Sequence, residues 1–355
     1  MASNAKYTVQ QRAAMFAQAT RQNYQMLPEQ VTNAGATTLQ FLLPKARLLS
    51  KIMVDVEAKV KITHASETEV PVDDFTPYKI IRRMSLDLNN GFSPYVIGGK
   101  ELAIYNCMRA NPELVFPQAS NDRGYCYMPE LAASAGGTEN TMKFTVALPV
   151  TLNDRDPVGL ILLQSAETNV TLSVDIANGG DILDNASGYT VDIANVRIRP
   201  MLETFSLPAV TDAFPDLSVL KLVNSRTDQF AGSGQNIVKL ATGTIYRKLA
   251  FYVMDENGDP FEDSDFLSNI ELVFNQADVN YSINAASLAH LNESQLGFSL
   301  PKGVYVFDFS YNGIPNYGGT RDYIDTEQLT EFWLRFNSAK KGKVSVISEC
   351  LARLA

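Results

Sequence analysis

The chain has 355 residues, 45% of them hydrophobic and 19% charged, with a formal net charge of −9. This length exceeds what one growing core sustains, so two domains are expected, and the composition excludes a chain that stays disordered. The acidic balance disfavours a role that depends on neutralising nucleic-acid phosphates, and no specific nucleic-acid partner is expected.

Residues 8–27 carry the one clear helical period: Val9, Ala13, Phe16, Thr20, Tyr24 and Leu27 recur at spacings of three and four, and Pro28 stops the pattern. The other face holds Gln11, Arg12, Gln18, Arg21, Gln22 and Gln25, with no acid before Glu29. Lys6, Arg12 and Arg21 give this arm a charge of +3, which leaves −12 for the remainder. A basic amphipathic arm on an acidic body is expected to touch an anionic membrane surface or the acidic flank of a neighbouring subunit; the plainer alternative is a terminal helix lying on its own domain. The first 27 residues lack the apolar stretch of a signal peptide, and no run of about 18 apolar residues follows. Neither export nor a membrane span is expected.

From Lys51 the period changes to two. Ile52, Val54, Val56, Ala58, Val60 and Ile62 share one face of a long half-buried strand. Further strands are expected at Met84–Leu88, Lys143–Leu148, Val170–Ile176, Val191–Ile198, Ile237–Leu240, Leu249–Met254, Ile270–Phe274, Val304–Phe309, Phe332–Phe336 and Val344–Ile347. Short helices are expected around Lys100–Arg109 and Ala285–Leu291. Turn clusters such as Asn89-Asn90-Gly91, Asn257-Gly258-Asp259-Pro260 and Asn312-Gly313-Ile314-Pro315 separate the strands.

Two local patterns recur in order. Ile81-Arg82-Arg83-Met84 opens a run ending at Asn90-Gly91, and Tyr246-Arg247-Lys248-Leu249 opens one ending at Asn257-Gly258, at offsets of 246 − 81 = 165 and 257 − 90 = 167. Leu163-Gln164-Ser165-Ala166 precedes Val170–Val174 as Phe336-Asn337-Ser338-Ala339 precedes Val344–Val346, at an offset of 338 − 165 = 173. A fixed order with a slowly growing offset points to duplication. One-faced strands joined by long irregular loops fit Greek-key sandwiches better than meanders. The expected fold is therefore all-β: two tandem eight-stranded jelly rolls with a short N-terminal amphipathic helix. The arm takes 1–30, the first roll 31–204 and the second 205–355, with a proline-stiffened linker from Pro200 to Pro215.

Catalytic chemistry is sparse. His64 and His290 lie in different halves without a partner at ligand spacing, so a histidine-cluster metalloenzyme is ruled out. Gly232-Ser233-Gly234 precedes a strand rather than a helix and reads as a flexible loop. The acidic loop Asp255, Asn257, Asp259, Glu262, Asp263 and Asp265 has oxygen ligands, but its glycine is at the fourth position where a calcium loop needs it sixth. No cofactor and no metal are expected. Cys107, Cys126 and Cys350 are an odd count without paired spacing and read as buried small apolar residues.

The opening Gln10-Gln11-Arg12-Ala13-Ala14, and more specifically Leu148-Pro149-Val150 followed by Asn153-Asp154-Arg155-Asp156-Pro157-Val158-Gly159-Leu160-Ile161 and the alternating Asn169–Val174, resembles the double jelly-roll major capsid proteins of tectiviruses, tailless icosahedral phages with a membrane inside the shell. The resemblance implies a non-enzymatic structural protein of the virion, made in the host cytoplasm. It implies homotrimers of near-hexagonal outline that tile an icosahedral shell, with the internal membrane, vertex (penton) proteins and minor capsid proteins as partners. Lys6, Arg12, Phe16, Arg21 and Tyr24 would then form a membrane-facing or neighbour-facing arm. The loops Asn111–Asn140 and Asn312–Asp325 would be outer towers or inter-subunit clasps. Two other classes compete: a tandem β-sandwich adhesin or spike that binds carbohydrate through an exposed Trp333 or Tyr317, and a β-sandwich glycoside hydrolase with paired carboxylates.

Overall fold

The structure, a computed structural model, describes residues 7–353 except 90, 153–156, 166, 184–186, 233 and 311–322. Lys6, Asn153–Asp156, Ser233, Tyr317 and most of the loop Asn312–Asp325 thus lie outside the described residues.

Helix α1 runs over Val9–Ala19. It begins in a reciprocal cap: the Gln11 amide donates to Thr8 Oγ1 at 3.2 Å, and the Thr8 amide donates to Gln11 Oε1 at 2.9 Å. The periodicity had extended this helix to residue 27. Instead the chain turns extended at Thr20, and Gln22–Met26 form β1, paired antiparallel from Gln22↔Phe205 to Met26↔Met201. There the backbone of Gln22–Met26 is paired along a sheet edge, the residue-by-residue pairing replacing a helical continuation.

The remaining elements of the first half are β2 (Gln30–Thr32), β3 (Thr38–Leu42), β4 (Leu48–Thr63), β5 (Ile81–Leu88), β6 (Phe92–Ile97), α2 (Gly99–Cys107), α3 (Pro112–Val115), β7 (Cys126–Tyr127), β8 (Thr138–Pro149), β9 (Ile161–Leu162), β10 (Val170–Ile176) and β11 (Thr190–Phe205). One sheet has the order β1-β11-β4-β8-β7, and facing it is β3-β10-β5-β6. The second half contains β12 (Val219–Phe230), β13 (Gly234–Leu240), β14 (Ile245–Asp255), β15 (Ile270–Phe274), β16 (Asp278–Ile283), α4 (Ala285–Leu296), β17 (Val304–Asp308), β18 (Ile324–Asp325), β19 (Phe332–Ser338) and β20 (Gly342–Arg353). Its sheets have the orders β12-β20-β14-β17 and β13-β19-β15-β16. Each half thus interleaves its first, eighth, third and sixth main strands against its second, seventh, fourth and fifth, the connectivity of a jelly roll.

The strand orders correct the repeat register read from sequence. Residue 81 opens the fourth main strand of its roll and residue 246 lies in the third of the other; Val170–Val174 is a seventh strand and Val344–Val346 belongs to an eighth. Both matches were one strand out of phase, and the true offset falls along the chain, from 219 − 22 = 197 at the first strands to 342 − 190 = 152 at the last, because the first roll has the longer loops. The equivalence is clearest in the two hairpins. Leu86, Asn89, Tyr95 and Ile97 recur as Leu272, Asn275, Tyr281 and Ile283, each 186 residues on. Asn89 and Asn275 both hold positive φ, 54° and 47°, and each amide donates to the chain entering the seventh strand, at Asn169 (2.8 Å) and Glu331 (2.9 Å).

The rolls are fused. β6 and β12 pair in parallel at Val223↔Tyr95 and Asn224↔Val96, joining one sheet of each roll into a nine-stranded sheet. Along β14, Leu249, Phe251 and Val253 enter the second roll's core, whereas Ala250, Tyr252 and Met254 enter the first's. That two-sided burial explains why Leu249–Met254 is continuously apolar rather than alternating.

Candidate assembly site

The strand registers define two ends of the molecule. At the base lie α1, the β3–β4 turn, the 206–218 connection and Arg353; at the crown lie the loops 64–80, 98–137, 256–269 and 284–303. The loop 256–269 carries Glu256, Asp259, Glu262, Asp263 and Asp265 without a lysine or arginine, whereas the base segments carry Arg12, Arg21, Lys45 and Arg47 besides Asp212 and Asp216. The acids of the crown loop are engaged: Asp263 accepts from the Tyr305 hydroxyl at 2.6 Å, Glu262 pairs with Lys302 at 2.7 Å and Asp265 with Lys340 at 2.9 Å. Among the described residues no three metal-ligating side chains converge.

The structure places the arm residues in three situations. Phe16 is buried with Leu48 and Leu160, packs edge-on to Phe205 at 5.4 Å, and meets Leu207 and Leu217 of the inter-roll connection. Arg12 is half-exposed and Arg21 exposed, the Arg21 amide donating to Ser206 Oγ at 2.9 Å. Tyr24, on the outermost strand, is 62% exposed. The helix therefore lies on its own roll, and no described helix is long and apolar enough to cross a membrane.

Between the rolls a buried charge cluster forms that the sequence did not reveal. Glu349 on β20 has Arg247 Nε at 3.2 Å, the Arg109 guanidinium at 3.8 Å, and the Tyr105 hydroxyl as donor. Buried Lys221 donates to the Thr151 carbonyl at 2.8 Å and sits over the rings of Tyr95 and Tyr105. Burial pushes the Glu349 carboxyl up, but Lys221, Lys248, Arg109 and Arg247 together outweigh it and hold it at about 2. Burial, reinforced by Arg109, lowers Lys221 well below the ordinary lysine range. Tyr105 comes from α2, Arg109 from just beyond it, Lys221 from β12, Arg247 from β14 and Glu349 from β20, so the cluster fixes how the rolls meet. The three cysteines are buried and unpaired; burial raises Cys107 and Cys126 to about 12 and Cys350 to about 11.

The free side of the second roll is open. Between β16 and β17 is a cleft of about 460 Å³ bordered by Tyr281, Ile283, Leu291, Phe307 and Phe309. Its rim tyrosine is 37% exposed, and β16 is exposed along nearly its whole length. Trp333, by contrast, is half-buried on the β19 sheet face, where a sugar platform would require it exposed.

This strand order recurs in solved structures over nearly the whole chain. The major capsid protein of Sulfolobus turreted icosahedral virus superposes with a TM-score of 0.67 at 14% identity, covering 94% of this chain and 97% of that one. PBCV-1 VP54 gives 0.65 at 11%, covering 95% of each, and the major capsid protein P2 of bacteriophage PM2 gives 0.56 at 10%, covering 94% and 98%. The fold is the double jelly roll. No protein-family model and no curated protein sequence matches the chain. The double jelly roll here accounts for both rolls, the fused seam and the two unlike ends.

Proposed function

We propose that this double jelly-roll chain is a viral major capsid protein, acting in the virion as a structural subunit that catalyses no reaction. The observation that carries the reading is likeness over 94% of the chain to capsid proteins that are themselves matched over nearly their full length. Copies associate into trimers of near-hexagonal outline, since two similar rolls per chain supply six similar wedges, and trimers tile an icosahedral shell with vertex and minor proteins. The base faces an internal membrane, where Arg12 and Arg21 meet lipid phosphates at about 1 kcal/mol each, and the acidic crown faces outward. The tectivirus assignment, a tailless phage, rests on the Leu148–Ile161 block.

Light scattering tests the trimer. A mass of 3 × 39.1 = 117 kDa is expected, and a stable 39.1 kDa monomer overturns it. Deleting residues 1–20 spares β1 and is expected to leave folded trimers that no longer bind vesicles containing anionic lipid. Undiminished binding removes the membrane role from the arm.

A further inference from the structure

Within the chain, β12 lies beside β6 in parallel and buries Tyr95 completely against the seam. The corresponding strand of the second roll, β16, carries Tyr281 at the position of Tyr95, yet no strand lies beyond it among the described residues. The corresponding strand to β12 in the first roll is β1. In both rolls the third and eighth main strands carry a Lys–Glu cross-strand pair, Lys51↔Glu203 and Lys248↔Glu349; next to these glutamates stand Tyr24 and Val223. Val223 is the residue that meets Tyr95.

We infer that β1 and β2 of a second copy fill the open flank of the second roll, with Tyr24 of one copy alongside Tyr281 of the next. This rests on the reading of the chain as a self-associating subunit. The match has four physical parts. Tyr24, Met26 and Val31 are large apolar side chains left exposed on one sheet edge, and the flank they would meet is an aromatic cleft. Both β1 and β16 run from base to crown, so rotation about an axis parallel to the strands sets them parallel, as β12 and β6 already are. Strands β1, β2 and β16 carry no charge apart from Asp278, with Glu29 between β1 and β2 and Asp308 at the cleft as the other charged groups nearby, and the lack of any cation there suits a protein surface and not a phosphate. The contact joins unlike surfaces and repeats the step already made inside the chain, so successive copies continue it until the ring closes. Two free strand edges, each a hazard for uncontrolled pairing, are covered together.

The test is a Tyr24→Cys/Tyr281→Cys double variant of the full chain, oxidised and run without reductant. Covalent dimers and trimers and nothing larger are expected, with either single variant giving monomer alone; the native cysteines are buried and supply no background. Tyr24→Asp and Tyr281→Asp, both at exposed sites, are expected to raise the trimer dissociation constant on the order of 30-fold or more while the folded chain is retained. A 117 kDa trimer that neither cross-links nor weakens rejects this interface and leaves the trimer reading standing. A wild-type monomer rejects both.

Discussion

The hairpin β5–β6 and the hairpin β15–β16 share a leucine, a left-handed asparagine, a tyrosine and an isoleucine at the same spacing, yet Tyr95 is fully buried and Tyr281 stands at a rim. The strand sequence sets which way each tyrosine points, and what packs beside the strand sets whether water reaches it. In the first roll the neighbour is supplied by the same chain. In the second, no strand among the described residues takes that place.

The largest test of this contrast is Tyr95→Ala against Tyr281→Ala. Loss of a buried aromatic side chain is expected to cost about 3–5 kcal/mol in denaturant unfolding, and loss of the rim tyrosine about 1 kcal/mol or less in the dissociated chain. Equal costs would mean that the second flank is closed.

The paired glutamates give a second contrast of similar size. Glu349→Gln leaves Arg247, Arg109 and Lys221 buried without their carboxylate and is expected to destabilise by about 3–5 kcal/mol. Its counterpart Glu203→Gln, in a pair with Lys51 at 3.2 Å on an accessible face, is expected to cost under about 1 kcal/mol. Because the folded carboxyl of Glu349 sits at about 2 against 4.5 ordinarily, its stabilisation is complete above pH 4.5 and is lost as pH falls toward 2, up to about 3 kcal/mol. Lys221, also lowered in the fold, moves stability the same way in a higher window: its burial becomes less costly as pH rises toward 10.5. An unfolding profile of Glu349→Gln that keeps the acid limb would reassign that limb to other groups.

The smallest effect is a likeness. Asn89→Ala and Asn275→Ala each lose a left-handed residue, and the side chains that accept from Asn169 at 2.7 Å and Thr330 at 2.9 Å, so both are expected to cost about 1–2 kcal/mol. A large difference would show that the two turns are not equivalent.

The long half-buried strands were legible because alternation over β4, β8 and β11 is dictated by one wet and one dry face, and two helices lie where the sequence put them, at α2 and α4. Of the strands missed outright, β12 is long, but its outer half from Asn224 to Gln229 is polar and only partly buried; β1, β3, β6 and β16 are short, and three of these four end a sheet in the folded chain, where a strand is held by one ladder and needs no regular apolar face. The matches from which the repeat was read paired strands that do not correspond, since period-two alternation matches any strand with any other; only a turn with a left-handed asparagine marks one position. Of the arm, the sequence determined where the helix starts.

By itself, then, the amino-acid sequence determined a mostly β chain of jelly-roll strands, because alternation and turn residues are local properties. The tertiary structure alone decided that residues 22–26 are a sheet edge, that Arg109 and Arg247 converge on Glu349, and that one roll's flank is filled while the other's is open among the described residues. Those are contacts between residues far apart in the chain, and no local pattern records which surface a strand will meet.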